Sequence, residues 1–187
     1  MEFKKREIKL FVLSGKARSG KDTTSAMLFE EYTKLGYKVL NLQYSSYIKE
    51  YAKKITNWDG SEETKPRSLL QQLGTDVIRK EIDELFFVKR IIGDIKVYSY
   101  YFDVITISDC RAKVEIDIPK QEFTNIYAIR LTRPNFDNGL TEEQKKHFTE
   151  TDLDDYTHFD YELINDGTID DLKVKINNLL SEVENER

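Results

Sequence analysis

Short apolar runs alternate with stretches of helical spacing along most of the chain. Ile8–Ser14 is nearly continuous in apolar residues and is closed by a glycine, the pattern of a strand buried on both faces. From Lys21 to Leu35 the apolar positions Leu28, Tyr32 and Leu35 recur at helical spacing, and Gly36 supplies a left-handed stop. Lys38–Gln43 reads as a second strand and Tyr47–Ile55 as a helix. Asn57–Gly60 is turn chemistry, and Ser61–Lys65 is a polar connector. Pro66 suits the first turn of a helix through Leu69, Leu70 and Leu73. Gly74 is expected to interrupt it before a further helical stretch from Asp76 into Ile91–Ile95, with Gly93 offering an earlier end. Val104–Ser108 is a strand ending on Asp109, Asn125–Leu131 is another and Tyr161–Ile164 a fifth; Leu172, Val174, Ile176, Leu179 and Leu180 mark the last helix. Strands separated by helices predict βαβ units with right-handed crossovers. The expected architecture is α/β with three layers: a five-stranded, mainly parallel sheet with helices on both faces.

The length of 187 residues corresponds to about one domain. With 39 % hydrophobic residues, 11 Tyr and 10 Phe, the chain is too rich in core formers to be disordered. A single cysteine, Cys110, excludes an intramolecular disulfide framework and any cysteine-based zinc site, and it points to a reducing compartment. No apolar run approaches 18 residues and Met1–Arg6 is charged, so neither a membrane span nor a signal peptide is expected, and the location expected is cytoplasmic. The net charge of −5 argues against nucleic acid as a partner.

The chemistry concentrates in Gly15-Lys16-Ala17-Arg18-Ser19-Gly20-Lys21-Asp22-Thr23-Thr24, which fits G-x4-G-K with Asp22 where Ser or Thr is usual. Glycines let the backbone wrap a polyphosphate, successive N–H groups form an anion nest, and the helix that follows offers its N-terminus. The loop follows an apolar strand and opens an amphipathic helix, as such loops require. Lys21 is the candidate for neutralising charge between the β- and γ-phosphates. Asp22 and Thr23 are candidates for Mg²⁺ or for capping the first helical turn, two roles that can coexist. Asp109, at the carboxyl end of its strand, is the candidate for the second acidic group near the metal. Arg111 has the geometry for an acceptor phosphate.

On these residues the chain resembles the P-loop deoxynucleoside monophosphate kinases of phages and bacteria. The loop at positions 15–24 looks like that family's K-R-S-G-K-D-T-T form. Lys65–Thr75 is similar to its P-R-x-L-L-Q-x-L-G-T segment, with Arg79 following. Ile107–Arg111 with Glu115 resembles its S-D-x-R-x3-E element. Arg133-Pro134, then His147–Glu150 and Asn165–Gly167, follow its order R-P, H-x-[ST]-E and N-D-G. The resemblance implies a P-loop kinase domain over 1–187, with an acceptor-binding helical region at about 44–101 and a lid at about 131–150. It implies ATP as donor and a nucleoside monophosphate as acceptor. Arg67, Arg79, Arg111 and Glu115 would serve the acceptor phosphate, with Gln71 or Gln72 near the base. Arg130 or Arg133 would clamp the transferring phosphate from the lid, and Asn165 and Gly167 would lie by the adenine.

Other readings stand beside these. Thr168–Asp171 reads as a capping-box-like helix start, so Asn165–Gly167 is equally an ordinary turn. The acidic stretch Glu150–Asp155 reads as a solvated face, and His147 and His158 as structural residues. Tyr98–Phe102 reads as core or a self-association surface, which leaves a homodimer open. Phosphomevalonate kinase-like and dephospho-coenzyme A kinase-like activities share the chemistry. A nucleotide-binding regulatory module without turnover is the reading from a different class; a GTPase would show N-K-x-D, which does not occur.

Overall fold

The expected strands assemble into one sheet. A computed structural model describes residues 3–185. Its strands β1 (Lys9–Ser14), β2 (Val39–Leu42), β3 (Val104–Cys110), β4 (Ile126–Thr132) and β5 (Tyr161–Ile164) lie in the order β2-β3-β1-β4-β5. Every neighbouring pair is parallel, so the sheet is wholly rather than mainly parallel. The helices are α1 (Lys21–Lys34), α2 (Ser45–Thr56), α3 (Arg67–Gln71), α4 (Phe86–Tyr98), α5 (Val114–Glu122), α6 (Glu142–Lys145), α7 (Phe148–Thr151) and α8 (Ile169–Asn185).

Alternation along β1 explains the layering. Leu10 and Val12 join Ile105, Ile107 and Ala128 in a core shared with Phe87, Ile91 and Ile95 of α4. Phe11 and Leu13 point the other way, into a core with Leu28 and Tyr32 of α1 and Leu172, Ile176 and Leu179 of α8. Each such buried side chain contributes about 1.5–3 kcal/mol, which holds both helical layers to the sheet. Lys9 is the buried exception on β1; its ammonium pairs with Glu184 of α8 and lies 5.2 Å from the centre of the Tyr32 ring. The chain passes from β1 to β2 on one side and places β4 and β5 on the other. The carboxyl end of β1 therefore lies at the reversal of strand order, where open α/β sheets take their ligands.

The region after Pro66 corrects two boundaries. Helix α3 continues without interruption into a π-helical segment, Gln72–Ile82, that contains Gly74. A Cβ on Gly74 would lie 2.8 Å from Ile48 Cδ1 of α2, so this glycine permits close packing rather than stopping a helix. The break falls at Asp83, which is extended, with its carboxylate accepting from the Leu85 amide and from Lys89. The stretch expected to run from Asp76 to Ile95 is thus two elements, and Gly93 lies inside α4.

Tyr98–Phe102 divides between its two readings. Phe102 packs against the core and meets Tyr98 and Tyr101 edge-on, while Tyr98 and Tyr100 remain exposed. Residues 130–132 belong to β4 rather than to a lid, and the following connection carries only the short helices α6 and α7. The start of α8 has reciprocal bonds between Thr168 and Asp171, as in a capping box. No helix among the described residues is long and apolar enough to cross a membrane.

Candidate active site

The loop between β1 and α1 is shaped by its neighbours. Gly15, Arg18 and Gly20 have φ of 142°, 58° and 107°. A Cβ on Gly15 would lie 2.3 Å from the Leu131 carbonyl oxygen, and one on Gly20 would lie 2.7 Å from Asn165 Nδ2. Glycine is therefore required at both places for close approach as well as for conformation. Asn165 Nδ2 donates to the Ser19 carbonyl at 3.0 Å, tying the loop after β5 to the phosphate loop. The buried Ser19 hydroxyl has no partner among the described residues, and with the loop amides it offers a cradle suited to phosphate oxygens.

Lys21 is folded into that loop. Its Nζ donates to the Gly15 carbonyl at 2.7 Å and to the Lys16 carbonyl at 2.9 Å. Burial, with Arg111 adding repulsion, pushes its pKa down to about 7, against the opposing pull of Glu150, Asp22 and Asp109. Polyphosphate beside Lys21 would restore the ammonium form, because an adjacent anion favours the charged state. Binding of Mg·ATP at pH 8 is thus expected to take up most of a proton, and at pH 6 very little. Calorimetry in buffers of different ionisation enthalpy measures this difference; equal uptake at both pH values would show that Lys21 does not titrate with binding.

On one side of Lys21 a cavity of about 320 Å³ is lined by Asp22, Thr23, Arg133, Asn165, Gly167 and Ile169, among others. Arg133 lies 3.7 Å from the centre of the Phe136 ring. Arg130 is elsewhere: it donates to the Leu153 carbonyl at 2.8 Å from β4 and rests over Phe159. The two candidate clamp arginines are therefore not interchangeable, since only Arg133 reaches this cavity. Thr24, included in the loop motif, is fully buried, and its amide donates to the Gly20 carbonyl at 2.9 Å, so it is packed into α1 rather than facing a cavity.

On the other side a cleft of about 760 Å³ is shared by Ala17, Arg18, Lys21, Asp22, Asp109, Arg111 and Arg67. Asp109 also holds the fold, since its carboxylate accepts from the Tyr44 and Ser45 amides at 2.8 and 3.0 Å at the start of α2. Asp22 and Asp109 are hard oxygen donors on one cleft. Among the described residues no group of three or more His, Cys, Asp or Glu could hold a metal. That donor set fits Mg²⁺, which typically takes one or two carboxylates together with phosphate and water oxygens.

Beyond the cleft lies a second cavity of about 320 Å³ with Tyr44, Ile48, Gln71, Thr75, Arg79 and Glu115 on its walls. Gln71 lines it, whereas Gln72 is exposed on the helix and lines neither this cavity nor the cleft. Arg67 stands at the rim, largely exposed, 3.4 Å from the Glu62 carboxylate. Arg79 pairs with Glu115 at 2.5 Å and lies between the rings of Phe87 and Phe148. Glu115 is buried and also accepts from the Arg111 and Ala112 amides at 2.6 and 3.1 Å. Burial raises its pKa, and Arg79 pulls it back down. Glu115 thus orients Arg79 and the turn carrying Arg111, rather than presenting a free carboxylate to a ligand.

The solvated-face reading of Glu150–Asp155 is overturned at its first residue. Glu150 accepts from the Ala17 amide at 2.9 Å and from Arg111 Nη1 at 2.7 Å. Asp152 accepts from the Lys113 amide and Asp154 pairs with Lys16, and only Asp155 fits the solvated reading well. His147 Nδ1 accepts from the Thr149 amide at the start of α7, and His158 packs edge-on against Tyr156, as structural residues do. The H-x-T-E spacing was the one sequence signal for Glu150; its partners are 39 and 133 residues away.

A parallel sheet with a glycine-lysine loop at the reversal of strand order, flanked by arginine-lined cavities, defines a P-loop kinase. The chain belongs to the deoxynucleotide monophosphate kinase family, whose pattern matches residues 38–176, and it is a phosphotransferase. The structure of an APS kinase of Mycobacterium tuberculosis in complex with AMPPNP and APS is similar at a TM-score of 0.55 and 13 % identity, over 94 % of this chain and 99 % of that one. An unliganded sugar kinase from a Janibacter species gives 0.57 and 12 %, over 93 % and 95 %. Dephospho-CoA kinase from Campylobacter jejuni gives 0.50 and 13 %, over 96 % and 98 %. At these identities the likeness is one of fold. No curated protein sequence matches the chain.

Proposed function

We propose that this kinase transfers the γ-phosphate of ATP to a nucleoside or deoxynucleoside monophosphate. The observation that carries the reading is a continuous arrangement in which Lys21 borders a cavity on each side, one walled by Asn165 and Gly167, the other leading through Arg111 to Arg67 and Gln71. Family membership supports a nucleotide acceptor. The adenosine of ATP would lie against Asn165, Gly167 and Ile169, with Arg133 beside it, and the triphosphate would run along residues 15–23 to Lys21. The acceptor would enter from the α2–α3 side, its phosphate held by Arg67 and Arg111 and its base beside Gln71. Asp22 and Asp109 would hold Mg²⁺ or its waters, and the metal supplies charge neutralisation on the phosphate oxygens.

In the reaction an oxygen of the acceptor phosphate forms a bond to the γ-phosphorus as the bond to the β,γ-bridging oxygen breaks, and ADP leaves. Such a transfer needs alignment and charge stabilisation more than covalent help from the protein. Lys21 and Arg111 supply positive charge, and Asp109 keeps the start of α2 in register with the loop. Residues 44–101 would form the acceptor region and the connection after β4 the lid.

The test is ADP release with Mg·ATP against ribo- and deoxynucleoside monophosphates, mevalonate 5-phosphate and dephospho-coenzyme A. Turnover on a nucleotide supports the reading. Turnover only on mevalonate 5-phosphate or dephospho-coenzyme A overturns the acceptor, and ATP binding without turnover on any of them points to a regulatory module. In the same assay Arg67→Ala is expected to raise the acceptor KM by about tenfold, the scale of one charged hydrogen bond, with ATP affinity nearly unchanged. A loss of ATP affinity at constant acceptor KM would refute that role for Arg67.

A further inference from the structure

One carboxylate stands inside the phosphate-binding machinery without a role in the scheme above. Glu150 uses one oxygen for the Ala17 amide of the phosphate loop, at 2.9 Å, and the other for the Arg111 guanidinium, at 2.7 Å. Its side chain is only 8 % exposed. The first partner belongs to the loop that would take the donor phosphates, the second to the side that would take the acceptor phosphate. A single internal anion therefore satisfies one group of each site. Both partners are donors of the kind that phosphate oxygens need. A carboxylate and a phosphate cannot both stay there, because like charges in contact repel and one amide proton serves one strong acceptor.

The segment bearing Glu150 is held by contacts of the same kind. The Thr149 carbonyl accepts from Arg111 at 3.4 Å, and Asp154 pairs with Lys16 at 3.1 Å. Helix α7 is only four residues long and none of them is fully buried, so lifting it exposes little core.

We propose that Glu150 is a placeholder for the transferred phosphoryl group. In the nucleotide-free enzyme it occupies the position between Ala17 and Arg111, and incoming phosphates expel it from both. The inference rests on the ATP-dependent reading of this site. Because the same side chain blocks both substrates, whichever enters first bears the cost of displacing it, and the second binds to a site already cleared. Donor and acceptor binding are then positively coupled, and the coupling is reciprocal.

The test is Mg·ATP affinity, measured calorimetrically on the full chain without acceptor, for the wild type, Glu150→Gln and Glu150→Asp. Gln keeps the reach and removes the charge, whereas Asp keeps the charge and falls one methylene short of Ala17. Displacement predicts that both variants bind ATP about 5–10-fold tighter, a typical size for coupling between sites. Tightening by Gln alone would mean a general charge effect, and weakening by both would mean that Glu150 supports the bound state; either overturns the proposal. Failure of the underlying reading is separate: the wild type would then bind ATP no better than Lys21→Ala does.

Discussion

Lys21→Ala is expected to lower turnover by about 10²–10³, the scale of losing one preorganised donor to a transition state. The lysine is buried in the loop, and its ammonium already converges on the carbonyls of Gly15 and Lys16. No other cation follows the same path, since Arg18 and Arg111 approach from the cleft and Arg133 from the opposite cavity. Lys21→Arg is not expected to restore the rate, because a planar guanidinium needs room and a different set of partners. ADP release under saturating Mg·ATP measures both variants, with thermal melting to separate lost chemistry from lost fold. An unchanged rate in Lys21→Ala would remove the phosphate loop from the mechanism.

The largest loss of stability is expected from Arg79→Ala. Glu115 is 1 % exposed and relies on the Arg79 guanidinium together with two backbone amides. Removing one partner of a buried ion pair leaves a desolvated charge and costs about 3–5 kcal/mol. The loss should depend on pH in a definite direction. Burial already raises the Glu115 carboxyl above its ordinary value, and without Arg79 it would rise further. A group whose folded pKa lies above its unfolded value binds more protons in the folded state, so folding becomes less favourable as pH rises through that window. The deficit of Arg79→Ala relative to the wild type is therefore expected to be largest near neutral pH and to narrow as pH falls toward 4.5. Urea unfolding at a series of pH values measures this. Glu115→Gln in the Arg79→Ala background should recover part of the loss, because an amide needs no counter-charge. A pH-independent deficit that Glu115→Gln does not touch would assign it to lost packing of Arg79 between Phe87 and Phe148 instead.

Elements with strong local signals were legible in the chain. The strand before the loop, the glycine-lysine motif and the alternation of strands and helices follow from residue spacing alone, and the sheet has the five strands expected. Gly74 shows where local rules give way. As a residue it weakens helices, yet Ile48 of α2 packs so close to it that a side chain there would collide, and the helix continues through it. Asp83 ends that helix through bonds to Leu85 and Lys89 that no hydropathy pattern displays.

The candidate site divides along the same line. Local sequence determined that a phosphate loop exists and that Lys21 and Asp22 belong to it, because the loop is contiguous and its chemistry requires those residue types at fixed spacing. Sequence also marked Arg67, Arg79, Arg111 and Arg133 as candidates, through short motifs, but could not assign them to sides. Tertiary structure decided that Arg133 borders one cavity and Arg67 the other, that Arg79 and Glu115 hold each other, and that Arg130 is occupied by Leu153. It alone brought Glu150 onto Ala17 across 133 residues of chain. The physical reason is that local preference is set by neighbours a few positions away, whereas the charge, burial and free donors of a site depend on which distant strands and helices the sheet order places side by side.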